Sequence, residues 1–330
     1  MFKGFGGIRL GGIRWLRALA ALLAAAALAA ATPLSQPRLM RIVVSFAAGG
    51  TADTLARLVG QEIAAATGMA VVIENRPGAG TAIATEFVYR AVPDGGTLLL
   101  TADPFVINPN VRASVPYDPF AFEPLCLLVT SPQVLVVNAE SPYKSVASLV
   151  MAAKARPGEF SYAAVGPGTT QHIAGEMFKR AAEINMVYVP FTGGAGVVTA
   201  ILGRHVTAAL VNYNEVIGHL EVGKLRALAV ATLSRYPELP EVPTLTELGY
   251  RVNDATAWFG VFAPPRTPRE TLELLMAQFR RAVMAPEVTT KLQMLGLRPV
   301  GTCGDEFEAH LRQLYDHYAR IVREANIRVE

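Results

Sequence analysis

The sequence predicts an α/β chain of two domains, one inserted in the other, on mostly parallel sheets with helices on both faces. Three observations predict it. Apolar runs of strand length alternate with helical stretches over most of the chain. Residues 132–253 hold a complete set of strands and helices of their own. Two extended segments, near residues 131–137 and 257–263, lead into and out of that middle part. The expected division is therefore 32–132 with 254–330 as one domain and 133–253 as the other, after a leader at 1–31.

The leader begins with Lys3, Arg9, Arg14 and Arg17 and no acidic residue, and continues as an unbroken Ala/Leu run over 18–31. A basic start, an apolar stretch and small residues at its end form the pattern of a secretory signal, with cleavage expected after Ala31. A membrane anchor is the other reading. The run falls short of the roughly 20 residues a spanning helix needs and is mostly weakly hydrophobic Ala, which favours the cleaved signal. Without the leader, 26 basic residues face 27 acidic ones, a net charge of −1. The slight basicity of the full chain belongs to the leader, and no basic patch interleaved with aromatics points to nucleic acid.

Strand-like runs fall at 41–46, 70–74, 97–101, 134–138, 161–164, 186–189, 208–211, 225–232 and 258–263. Helical stretches fall between them at 53–67, 81–91, 145–155, 170–184, 194–202 and 216–221. The tail reads as three helices, 268–284, 286–295 and 305–325, broken at Pro286 and across the glycines of 296–304.

Residues 41–60 stand out. A buried strand feeds Ala47-Ala48-Gly49-Gly50-Thr51, and a helix follows from Asp53. Such a junction leaves backbone N–H groups free at a helix N-terminus, where the dipole favours an anion. Asp53 is a candidate acid, or a residue that holds the turn in shape. A second junction of this type runs through Gly166-Pro167-Gly168-Thr169-Thr170, where either threonine can cap the helix. Ligands bind outside the carboxyl ends of parallel strands, so two such turns, one per domain, predict facing anion sites across a cleft. His172 lies where it could orient a loop or touch a carboxylate, and Phe191 begins a third glycine turn that could wall the site.

Catalytic constellations are missing. No G-x-S-x-G elbow, H-E-x-x-H motif or Walker loop occurs, and no nucleophile adjoins His172. Neither a metal nor a cofactor is expected. Cys126 and Cys303 lack metal-ligand spacing and form either a disulfide or two buried thiols.

These residues carry a resemblance to the substrate-binding proteins of tripartite tricarboxylate transporters, the Bug family. The matching pieces run in order along nearly the whole chain after the leader. They include Ser45-Phe46-Ala47-Ala48-Gly49-Gly50-Thr51-Ala52-Asp53, Asn75-Arg76-Pro77-Gly78-Ala79-Gly80, Pro93-Asp94-Gly95 and Pro116-Tyr117-Asp118-Pro119. Further on come Gly166-Pro167-Gly168-Thr169 with His172, Gly223-Lys224-Leu225-Arg226-Ala227-Leu228-Ala229 and Ala263-Pro264-Pro265-Arg266-Thr267-Pro268.

The resemblance implies a monomeric periplasmic binding protein of the two-lobed, type II-like flytrap fold. It would pass a small carboxylate to membrane permease subunits without chemistry; a sensory binding protein serving a receptor, or an exported enzyme with the same cleft, are the alternatives. It implies that the carboxylate meets Phe46, Ala47, Gly49, Gly50, Thr51 and Asp53 from one domain and Gly166, Gly168, Thr169, Thr170 and His172 from the other. Thr101 and Ala102 would form a third wall, with Phe191 and Asn212 on the cleft side of the second domain. The chain departs from the family pattern at Thr81, Gly96, Phe191-Thr192 and Thr207, so the wall of the second domain carries less charge than usual.

Overall fold

The computed structural model describes Met1, residues 39–252 and residues 254–325. The expected signal segment lies outside the described residues. Among the described residues no helix is long and apolar enough to cross a membrane.

In chain order the elements are β1 (Leu39–Val44), α1 (Thr51–Thr67), β2 (Ala70–Asn75), α2 (Ala82–Tyr89), β3 (Thr97–Ala102), α3 (Pro104–Val111) and β4 (Glu123–Ser131). Then follow β5 (Gln133–Asn138), α4 (Val146–Ala155), β6 (Phe160–Val165), α5 (Thr170–Ala182), β7 (Met186–Phe191), α6 (Gly194–Leu202), β8 (Ala208–Asn212), α7 (Tyr213–Glu221) and β9 (Leu225–Val230). The chain ends with β10 (Ala257–Ala263), α8 (Arg269–Val283), α9 (Pro286–Met294), β11 (Arg298–Cys303) and α10 (Asp305–Ala325).

Two sheets result, and each with its helices is called a lobe here. The first has the order β11-β4-β10-β3-β1-β2, the second β7-β6-β8-β5-β9. Both are mixed. In the first, β2, β1 and β3 pair in parallel, while β10 pairs antiparallel with β3 and β4, and β11 antiparallel with β4. In the second, β7, β6 and β8 pair in parallel and β5 antiparallel with β8 and β9. β10 of the first sheet and β5 of the second, each antiparallel to both its neighbours, lie beside the crossings between the lobes. β4 passes through Pro132 into β5, and residues 231–256 carry the chain back from β9 to β10. The crossings are joined: Ala231 N–H donates to Gln133 O (2.9 Å) and Ala255 N–H to Ala231 O (2.8 Å).

Covered sheets need apolar residues on both faces of a strand. In β1, Ile42 and Val44 enter a cluster with Leu55, Val59 and Phe279, whereas Val43 enters another with Leu99, Phe105, Trp258, Phe262 and Phe307. Helix α1 fits the first cluster because Ala52, Leu55, Ala56, Val59 and Ile63 recur at helical spacing on one face. Gly68 stops it in the left-handed conformation, φ 72°, with its N–H on Ala64 O.

Three elements escape the sequence pattern. Arg298–Cys303 is a strand inside the expected break, and it sits at the sheet edge, where Pro299 removes no needed ladder donor. Glu123–Ser131 extends the expected connection into a full strand, and Pro104–Val111 adds a helix. Cys126 and Cys303 face each other across β4 and β11 and form a disulfide, which resolves the two alternatives.

Candidate functional site

Beyond β1, Ser45 donates its hydroxyl to Thr101 Oγ1 (2.9 Å), tying the ends of β1 and β3. Phe46 packs edge-on to Phe259, and its carbonyl accepts from Asn75 Nδ2 (3.1 Å). Ala47, Ala48, Gly49 and Gly50 are exposed. Gly49 takes φ 82°, a conformation that costs glycine nothing. Its N–H donates to Asp53 Oδ2 (2.9 Å), which also accepts from Arg57 Nε (3.0 Å). Burial pushes the Asp53 carboxyl up, but the Arg57 hydrogen bond, the Gly49 N–H and Asn75 outweigh it and hold the group below the usual range. Asp53 is thus a charged, engaged carboxylate that fixes the turn from within. Gly50 stands at the N-cap of α1 with no side chain capping the helix, so the first-turn amides keep their donors.

The turn of the second lobe is built differently. Gly166 N–H is used on Phe191 O (2.9 Å), and the Phe191 ring lies against the start of α6. Thr169 caps α5: its hydroxyl accepts from His172 N (3.3 Å) and donates to Val165 O (2.7 Å). His172 is buried behind the turn, stacked on Tyr188 at 4.3 Å, and its Nδ1 accepts the Gly168 N–H (3.4 Å). Burial pushes its pKa down, Glu176 opposing, which keeps the ring neutral and Nδ1 an acceptor. Asn212 closes the end of β8. Its Oδ1 accepts from Gln133 Nε2 (2.6 Å) and Gln171 Nε2 (3.2 Å), and its Nδ2 donates to Glu215 (3.4 Å). Burial pushes the Glu215 carboxyl up to about 7, and this group lies so close over Gly194 that a Cβ there would collide with it.

The lobes touch where these strand ends meet. Asn214 Nδ2 donates to Thr51 Oγ1 (2.7 Å), and Asn214 Oδ1 accepts from Ser131 Oγ (3.1 Å). Thr170 Oγ1 lies 3.5 Å from Tyr318 Oη, which donates to Asp103 Oδ1 (3.4 Å). Burial pushes Asp103 up to about 7 despite hydrogen bonds from Thr170, the Trp258 backbone and Tyr318. Gly168, at φ 79°, backs onto α3: a Cβ there would stand 3.2 Å from Asn108 Oδ1 and 3.3 Å from Val111. Ile173 of α5 joins the core cluster of the first lobe.

The structure therefore gathers Phe46, Ala47, Gly49, Gly50, Thr51 and Asp53 with Thr101 and Ala102 at one lobe's strand ends. It gathers Gly166, Gly168, Thr169, Thr170, His172, Phe191 and Asn212 at the other's. Not all of them present a free group. Asp53, Thr169 and His172 spend their side chains on their own turns, and Thr170 spends its hydroxyl on the opposite lobe. Ser131, Gln133, Gln171, Asn214 and Tyr318 join the site without a motif to mark them. Asn214 sits in a polar run with Asn212, a visible signal, whereas Tyr318 is one of three aromatics, with Phe307 and Tyr315, in a 21-residue helix and gives none. Among the described residues no group of three or more His, Cys, Asp or Glu is placed to hold a metal ion.

Known proteins are similar to this chain in sequence and in fold. BugT of Bordetella pertussis is 32% identical over 298 residues, covering 89% of this chain and 91% of that protein. Among solved structures, the R. palustris protein Rpa4515 with adipate superposes with a TM-score of 0.83 at 30% identity, over 88% of this chain and 98% of that one. MatC from Rhodopseudomonas palustris, with bound malate, gives 0.77 at 28% identity, over 86% and 98%. The model of the tripartite tricarboxylate transporter family receptor matches residues 55–327. With two α/β lobes meeting at glycine turns, and with that match over most of its length, the chain belongs to the tripartite tricarboxylate transporter receptor family.

Proposed function

We propose that this protein captures a small carboxylate between its lobes, in the periplasm after loss of the 1–31 signal, and delivers it as a monomer to the membrane permease of a tripartite transporter. The observation that carries the reading is the uncapped N-terminus of α1 beneath Gly49 and Gly50, next to the contact with the other lobe. Oriented N–H groups there replace the water around a carboxylate without a lysine or arginine. The adipate and malate of the two Rhodopseudomonas relatives support the ligand class.

The domains are 32–132 with 254–330, and 133–253. Closure turns about the joined crossings at Pro132 and at 231–256 and presents one shape to the permease. No residue of the site combines a nucleophile with a base, so the reading is binding without turnover.

A thermal-shift screen of mono- and dicarboxylates tests it. A ligand at a hundredfold excess over its Kd adds about 2.7 kcal/mol of stability. A screen in which no carboxylate raises the melting temperature overturns the proposal, and so does NMR detection of a converted ligand.

A further inference from the structure

We propose that Asn214 is a positioning residue that couples lobe closure to carboxylate binding by orienting the hydroxyl of Thr51; this rests on the carboxylate reading above. Three residues form a chain across the molecule. Ser131 lies at the end of β4, where the chain leaves the first lobe, and is fully buried. Its hydroxyl donates to Asn214 Oδ1 (3.1 Å). The other end of the same amide, Nδ2, donates to Thr51 Oγ1 (2.7 Å), and Thr51 opens α1 at the uncapped N-terminus.

A hydroxyl has one proton to give and lone pairs to accept with. Asn214 occupies the acceptor side of Thr51 Oγ1, which leaves the Thr51 proton to be donated beside the free amides of α1. That is where an anion would sit. A rigid amide works here because its two ends differ: Oδ1 takes the Ser131 proton and Nδ2 supplies the one that Thr51 accepts. The chain runs in one direction, from the crossing strand to the anion turn.

The contact forms only when the lobes are together. Thr51 belongs to the first lobe and Asn214 to α7 of the second. Packing at the same place is tight, since a Cβ at Gly296, which precedes β11 in the first lobe, would stand 3.1 Å from Asn214 Cα. Carboxylate held by Thr51 and the α1 amides therefore favours the closed arrangement, and the closed arrangement improves Thr51 as a donor. By linkage the two effects are one coupling free energy.

The test is a double-mutant cycle on Thr51→Val and Asn214→Ala, with adipate and malate as probes and stopped-flow rates as the readout. Asn214→Ala is expected to weaken binding about tenfold, mainly through faster dissociation. In the Thr51→Val background the same change is expected to cost nothing further. Additive losses, or a loss confined to association, would overturn the proposal. Small-angle scattering of the ligand-free proteins supplies an independent arm: Asn214→Ala should be more expanded than wild type while its circular dichroism shows both lobes still folded. Equal radii sink the latch even if carboxylates bind well. Failure of every carboxylate to bind wild type overturns the functional reading, and the latch is then decided by scattering alone.

Discussion

The turn of the first lobe is held from behind and left open in front; the turn of the second is closed upon itself. Asp53 tethers Gly49 from inside α1, and no side chain covers the helix N-terminus. In the second lobe, Thr169 caps its own helix, His172 takes the Gly168 N–H, and Thr170 and Gly168 face the first lobe. The difference teaches that two junctions with the same strand-glycine-helix sequence need not do the same work. The first leaves its helix N–H donors without a side-chain cap; the second uses its donors within its own turn and packs its outer surface on the first lobe.

Stability should show the same asymmetry. Both cysteines of the chain serve the first lobe, where the disulfide joins β4 to edge strand β11 just before α10. Constraining a loop of 177 residues in the unfolded chain stabilises by about 5 kcal/mol in the chain-entropy account. Cys126→Ser with Cys303→Ser is therefore expected to lose about that much in urea unfolding. The loss should be felt first as faster amide exchange in β11 and α10, with α4 to α7 protected as before. Equal loss of protection in both lobes would break the comparison.

A smaller pair of substitutions addresses the turns directly. Asp53→Ala removes the acceptor shared by Gly49 and Arg57 and should cost about 2 kcal/mol, together with at least tenfold in carboxylate affinity. Thr169→Ala removes an N-cap and should cost about 1 kcal/mol, with a lesser effect on affinity. Calorimetric titration and thermal unfolding of the two variants check both statements. If Thr169→Ala hurts binding more than Asp53→Ala does, the roles of the turns are reversed.

The two junctions were legible in the sequence as facing anion turns, but the contrast between them was not. Apolar runs and glycine junctions gave away β1, α1, β6 and α5, because strand and helix periods are local properties. Asp53 was readable as the residue that shapes its turn because its distance from Gly49 suits a helix start. β11 was hidden: Pro299 and Gly301 argue against a strand unless it is known to lie at an edge, and that is decided by residues far away. The same holds for Tyr318, whose partners stand 148 to 215 residues distant; Asn214 shows in its polar run, but its partners, 83 to 163 residues away, do not. Contacts between lobes leave no period in the chain.

The smallest effect concerns protons. Each lobe keeps one carboxyl that burial raises to about 7: Asp103, against Tyr318 and Thr170, and Glu215, inside the second lobe against Asn212. Their ordinary values are 3.8 and 4.5. The fold favours the protonated form of both, so as pH rises the unfolded chain loses these protons before the folded one does. Folding then binds protons, and stability falls as pH rises from about 4 or 5 to about 7, after which the folded groups also ionise. Over the single unit from about pH 6 to 7 each group contributes at most about 1.4 kcal/mol. His172 acts oppositely: its lowered pKa makes stability fall as pH drops below about 6.5. Asp103→Asn and Glu215→Gln should each flatten the slope of urea-derived stability over that unit. Only Asp103 touches the other lobe, so only Asp103→Asn should also change how scattering-derived closure varies with pH. An effect of Glu215→Gln on closure as large as that of Asp103→Asn would show that the second lobe's interior, and not the contact between lobes, carries the proton.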